Sequence, residues 1–216
     1  MLSNSRKLLI FDWDGTLSDS VARISRCIQL AAMDMSLPVP SYDEAKDIIG
    51  LGLQEAVTQL FPALNKEVIA EFSATYSAHY RREDSKPCDF FPQVLSTLEE
   101  LRAQNYLLAV ATGKSRNGLN RVFAATDLNG FFHGSRCADE TRSKPHPLML
   151  EELLAEFDIS ANNAVMVGDT EFDMEMAVNA SMPRIAVSYG AHDISRLSKF
   201  EPIACINKFS DIKKYL

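Results

Sequence analysis

The sequence predicts an α/β protein, with an open parallel sheet interrupted after its first strand by a helical insertion. Two observations carry that expectation. In the second half of the chain, short apolar runs bounded by polar residues or glycine alternate with helical patterns, which is how parallel strands covered by helices read. From about 18 to 85 the alternation stops, and helical periodicity continues with no strand-like run, which marks an all-helical insertion. The expected division is a core of 1–17 and 86–216 and a helical unit of 18–85.

The strands are expected at 7–11 (KLLIF), 106–111 (YLLAVA), 163–168 (NAVMVG) and 184–188 (RIAVS). Each is too short for a buried helix, and most of its residues suit a strand covered on both faces. Helical patterns occupy 93–104, 116–125, 147–157 and 172–180. Inside the insertion, Ser41 and Glu44 have capping-box spacing, and Pro38, Pro40, Gly50, Gly52 and Pro62 punctuate the helices. His79, Arg81 and Arg82 close one of these helices, where basic side chains complement the helix dipole. The apolar positions of the inserted helices are expected to be packing faces. In "DIIGLGLQEA", residues 47–56, two glycines bracket Leu51. That break serves either as a tight turn or as a loop that closes over a site, where Leu51 and Leu53 would test the substrate.

Composition narrows the function. The chain has 216 residues, 46% hydrophobic and 24% charged, enough to bury a full core. Its net charge of −7 comes with no basic run, which argues against nucleic acid and anionic membrane surfaces as partners. The four residues 8–11 before Asp12 are too short an apolar run for a signal peptide, and no stretch approaches membrane-spanning length. A cytoplasmic location is expected. Cys27, Cys88, Cys137 and Cys205 are scattered without a close pair, which suits reduced thiols better than disulfides or a zinc site.

The chemistry gathers where the strands end. Asp12 and Asp14 follow the first strand, at the carboxyl edge where open α/β sheets present their ligand crevice. A period of two points both carboxylates one way and Trp13 the other. Like charges so close need a cation or a chemical role. Gly15 allows a sharp turn there, and Thr16 can bond back to the exposed backbone. The second strand runs into "ATGKS", where Thr112 offers a hydroxyl, Gly113 a close backbone N–H, and Ser115 a helix cap. The third runs into "GDTEFD", with Asp169 at the sheet edge and Asp173 in the next helix's first turn. Between them "SKPHP" sets Lys144 before a helix whose start Pro145 and Pro147 mark. Acids, a hydroxyl, free N–H groups and an ammonium on one sheet edge match the needs of phosphoryl transfer, where positioning and charge neutralisation do nearly everything. Mg²⁺ uses one or two carboxylates and keeps water and phosphate in its shell. Asp12, the backbone carbonyl of Asp14, and Asp169 would be its protein ligands, with Asp173 bonding metal-bound water or Lys144. His146 reads as a helix-start residue, and Tyr189, Gly190 and His192 border the crevice without an assigned role.

"DWDGTLSDS", "ATGKS", "KPHP" and "VGDTEFD", in that order, resemble the four motifs of the haloacid dehalogenase-like hydrolase superfamily. The inserted helices resemble its C1-type cap on a Rossmann-like core, and the whole is most similar to the phosphoglycolate phosphatase-like group. The resemblance implies Asp12 as nucleophile, Asp14 as acid and base, Thr112, Gly113 and Lys144 as phosphate binders, and Asp169 as metal ligand. It implies an Mg²⁺-dependent phosphatase that hydrolyses a small phosphomonoester, 2-phosphoglycolate among the candidates, through an aspartyl-phosphate. Two positions depart from the common pattern: Gly113 stands where Asn or Ser is frequent, and Trp13 is bulkier than usual. Asp14 argues against a dehalogenase or phosphonatase. A phosphomutase and a pyrophosphatase share these core residues. A phospho-signalling receiver module would be shorter, lack the insertion, and carry its acidic pair before the phosphorylated residue.

Overall fold

A computed structural model of the protein describes residues 8–83 and 89–216. Lys7, Cys88 and the expected boundary at 85/86 lie outside the described residues. In chain order the elements are β1 (Leu8–Phe11), α1 (Val21–Asp34), α2 (Tyr42–Asp47), α3 (Leu53–Leu60), α4 (Lys66–Glu83), α5 (Val94–Ala103), β2 (Leu107–Thr112), α6 (Arg116–Ala125), β3 (Gly134–Cys137), α7 (Leu148–Phe157), β4 (Ala164–Gly168), α8 (Glu171–Asn179), β5 (Arg184–Val187), α9 (Ile194–Leu197) and β6 (Ala204–Ile206). The six strands form one parallel sheet in the order β3-β2-β1-β4-β5-β6. The expected strands and core helices fall within a residue of these bounds. Two edge strands escape the sequence reading, β3 (GSRC) because it has a single apolar residue and β6 (ACI) because it is only three residues long.

β1 is buried along its whole length, with Leu9 and Phe11 on one face of the sheet and Leu8 and Ile10 on the other. Strand order reverses around β1, so the loops after β1 and β4 meet at the carboxyl edge, which is where such sheets bind ligands. Gly15 takes φ +83° and turns the chain there, and a side chain at that position would strike the carboxylate of Asp169.

Helices α1 to α4 follow β1 without an intervening strand and share a hydrophobic cluster that includes Ile28, Ile49, Val57 and Phe72 and takes in Ala191 of the core. The Ser41–Glu44 capping box forms as the spacing predicts. His79 lies near the end of α4, but its ring pairs with Asp34 at 2.7 Å and so ties α4 to the last residue of α1, where dipole compensation was expected. No helix among the described residues is long and apolar enough to cross a membrane. Cys137 and Cys205 carry free thiols.

Trp13 turns away from the acids that flank it, as the strand period predicts, and is 1% exposed. Its indole meets Phe90, Phe123 and Phe132 edge-on at 5.4 to 6.2 Å between ring centroids. Its bulk is thus an anchor that fixes the backbone carrying Asp12 and Asp14. Trp13→Ala should cost about 3–5 kcal/mol, read as a lowered urea midpoint. A loss under about 1 kcal/mol would show that the aromatic cluster repacks without it.

Candidate active site

The site is built from loops at the carboxyl edge of the sheet. Asp12 follows β1, Thr112 ends β2, Lys144 precedes α7, Asp169 follows β4, and Asp173 lies in the first turn of α8. All five are buried.

Lys144 Nζ donates to Asp12 Oδ1 and to Asp173 Oδ1, both at 2.6 Å, with none of its side chain exposed. Asp173 Oδ2 accepts from the amide and hydroxyl of Thr170, closing a second capping box that starts α8. Asp169 accepts from the Thr16 hydroxyl at 2.7 Å and the Ala191 amide at 2.7 Å. Asp14 is held differently. Its Oδ2 lies 2.9 Å from Lys114 Nζ, and its Oδ1 accepts from the Ser20 hydroxyl at 2.5 Å.

Burial raises the Asp12 pKa well above the usual carboxylate range. Lys144 opposes the shift, and Asp173, Asp169 and Asp14 add to it. Burial and the neighbouring Asp173 push Asp169 up to about 7, against the Ala191 amide, Thr16 and Lys144. Burial disfavours the charge on Lys144, yet Asp12 and Asp173 outweigh it and raise its pKa. Lys114 is raised in the same way against burial, chiefly by Asp14.

The donor set fits a divalent cation. Asp12, Asp169 and Asp173 each offer an oxygen, and the three oxygens lie within 4.8 Å of one another. Asp12 Oδ2 is buried without a hydrogen-bond partner among the described residues, which a cation would relieve. Four carboxylates face two ammonium groups here. If all ionise, two negative charges are left over, the charge that one divalent ion carries. A hard cation prefers such oxygen ligands.

A cavity of about 480 Å³ opens beside the acids. Asp12, Asp14, Gly113 and Lys114 line one side of it, and Ile24, Ile49, Leu53, Tyr76 and Tyr80 of the inserted helices line the other. Thr112 and Lys144 are fully buried and do not line it; the Thr112 hydroxyl accepts from the Lys114 amide at 3.2 Å. The structure accounts for glycine at 113, because a Cβ there would collide with the carbonyl oxygens of Leu51 and Gly50. The loop at 50–52 therefore rests directly on the turn after β2, and the Gly52 amide donates to Ser143 Oγ at 2.7 Å, next to Lys144.

Ser115 caps α6 by accepting from the Gly118 amide, and His146 Nδ1 accepts from the Leu148 amide at the start of α7, both as expected. The residues without an assigned role prove to hold the loop around Asp169. Tyr189 donates to the Thr16 carbonyl at 3.1 Å, and a Cβ at Gly190 would strike Asp169. His192 accepts from the Glu171 amide at Nδ1 and meets the Asp47 carbonyl at Nε2, which requires the Nε2–H tautomer. The sequence reading missed Lys114. It stood inside the quoted "ATGKS", but only the fold shows that its side chain reaches Asp14.

Residues 9–187 match the haloacid dehalogenase-like hydrolase family, and the chain belongs to it. Its relatives include the "Probable phosphatase IndB" of Dickeya dadantii (strain 3937), 33% identical, with 96% of this chain and 92% of that protein covered. The phosphoglycolate phosphatase of Aliivibrio fischeri (strain ATCC 700601 / ES114) is 30% identical, with 97% and 94% covered. Among solved structures, that of a predicted phosphoglycolate phosphatase from Haemophilus somnus 129PT superposes with a TM-score of 0.85 at 26% identity, over 99% of both chains. Matches to phosphatases over nearly the full length make this protein an enzyme of the phosphatase type.

His192 gives a pH signature. Burial and the nearby Arg196 lower its pKa below the ordinary 6.5, against Asp47 and Glu171. The folded state therefore favours the neutral ring, and the stability it contributes is complete above about pH 6.5 and lost as pH falls below it. The urea midpoint of the wild type should exceed that of His192→Gln most near pH 7, and the gap should narrow toward about pH 5, both proteins being kept in chelator. A gap independent of pH would show that the ring does not titrate between the two states.

Proposed function

We propose that the protein is an Mg²⁺-dependent phosphatase that hydrolyses a small phosphomonoester in the cytoplasm, 2-phosphoglycolate being a candidate. The single observation that carries this reading is the contrast between the two acids of the first loop. Both line the cavity, but Asp12 is held by Lys144 with one oxygen unpartnered, whereas both oxygens of Asp14 are engaged, by Lys114 and Ser20. Two carboxylates in such different surroundings suit two different roles.

In this reading Asp12, the backbone carbonyl of Asp14 and Asp169 hold the metal, and Asp173 orients Lys144. The bound cation supplies charge neutralisation at the phosphate oxygens and keeps the carboxyl of Asp12 ionised. Asp12 attacks phosphorus, the phosphorus–oxygen bond to the alcohol breaks, and Asp14 protonates the departing oxygen. Water then attacks the phosphorus of the aspartyl-phosphate, giving its proton to Asp14, and inorganic phosphate leaves as the Asp12 carboxylate re-forms. Thr112, the Gly113 amide and Lys144 bind the phosphate, and rigid loops hold them in place. Residues 18–85 act as a cap over a core of 1–17 and 86–216. Their loop at 50–52 excludes bulk water and meets the part of the substrate beyond the phosphate.

The reading is tested by a metal-dependent screen of phosphate esters that includes 2-phosphoglycolate, sugar phosphates, nucleotides and pyrophosphate. Asp12→Asn keeps the shape of the side chain and removes its nucleophilic charge. Turnover should fall at least about a thousandfold, toward the residual activity that binding alone supports. Substantial Mg²⁺-dependent hydrolysis by Asp12→Asn would assign the nucleophile elsewhere.

A further inference from the structure

Lys114 is not needed for any step above, yet it is the best-buried cation on the cavity wall. Its side chain is 10% exposed. An ammonium has three N–H donors. Among the described residues its partners are the Asp14 carboxylate at 2.9 Å and, at a long 3.4 Å, the Tyr80 hydroxyl of α4, whose ring also lies 4.9 Å from Nζ. Donor capacity therefore remains on a group that borders the cavity. Its backbone is fixed on both sides, since its amide donates to Thr112 Oγ1 and its carbonyl accepts from the Ala138 amide. Ser115 and Gly118, from the N-terminal turn of the ten-residue helix α6, line the same cavity, and a helix start favours an anion. Arg121 lines it as well but is exposed, so solvent screens its charge more strongly.

Size alone cannot select a small substrate in this space. Pockets of roughly 300–1,000 Å³ hold drug-sized ligands, and about 480 Å³ leaves a two-carbon ester loosely enclosed. Selection then needs a specific charge. We propose that Lys114, flanked by Tyr80 and the start of α6, is the subsite for a second anionic group on the substrate, a carboxylate close to the ester oxygen. The substrate class is a small phosphomonoester of a hydroxy acid. This inference rests on the phosphatase reading and adds the group that reads the alcohol part.

The test compares kcat/KM for 2-phosphoglycolate with that for ethyl phosphate, which has the same chain length and no carboxylate. The wild type should prefer the hydroxy-acid ester by at least tenfold. Lys114→Met should lower that ratio at least tenfold, mainly through KM for 2-phosphoglycolate, and Lys114→Arg should keep most of it. As a binding readout, 3-phosphonopropionate should inhibit wild-type ethyl phosphate hydrolysis more strongly than propylphosphonate does, and Lys114→Met should erase the difference. A wild type without preference overturns the subsite whatever the variants do. A ratio unchanged in Lys114→Met also overturns it, since Lys114 would then act on Asp14 alone. A wild type that hydrolyses no ester overturns the phosphatase reading and the subsite with it.

Discussion

The ammonium of Lys144 lies 2.6 Å from Asp12 and 2.6 Å from Asp173, with no side-chain surface open to solvent. The carboxyl edge of the sheet depends on this contact. Carboxylates gathered away from water drive one another toward the neutral acid, and Asp12 is displaced that way even with Lys144 in place. Removing one partner of such a buried group leaves an uncompensated charge, at a typical cost of about 3–5 kcal/mol. The same ammonium joins the end of β1, the loop before α7 and the first turn of α8. Through the other oxygen of Asp173 it is linked to the capping box that begins α8. Charge balance and helix initiation thus share one residue.

Asp14 escapes this arrangement although it is only two positions from Asp12. The strand period points both acids to one side and Trp13 to the other, where three phenylalanines hold the indole. Beyond that anchor Gly15 turns the chain, and the carboxylate of Asp14 meets Lys114 and Ser20 at the cavity wall. Two acids and two ammonium groups are therefore sorted into separate pairs, Asp12 with Lys144 and Asp14 with Lys114. This answers what adjacent carboxylates gain at the edge of a core: each has its own counter-charge, and the two environments differ enough to support different chemistry.

Much of this was legible in the sequence because it is written locally. Apolar runs ending in Asp, Thr or Gly marked the strand ends, and Ser41 with Glu44 and Ser115 marked helix starts that the structure contains. What stayed hidden depends on pairing at long range. β3 and β6 gain their strand character only beside β2 and β5, since "GSRC" is mostly polar and "ACI" is too short to show a pattern. His79 read as a helix-end cation until its partner on α1 was visible. Tyr189, Gly190 and His192 had no assigned role until their contacts around the Asp169 loop were visible. Lys114 was invisible for the same reason: nothing in "ATGKS" says which acid its flexible side chain will meet.

Gly113 carries the argument furthest, because it departs from the pattern that its family resemblance implies. The carbonyls of Gly50 and Leu51 occupy the space a side chain would need, and Gly52 is bonded to Ser143 beside Lys144. The loop between α2 and α3 is thereby seated on the turn after β2 and on the lysine loop at once. A chain built this way cannot shift that loop without disturbing both contacts. The remaining wall is built differently, from the isoleucines of α1 and the tyrosines of α4, and Lys114 joins it with its own backbone bonded to Thr112 and Ala138.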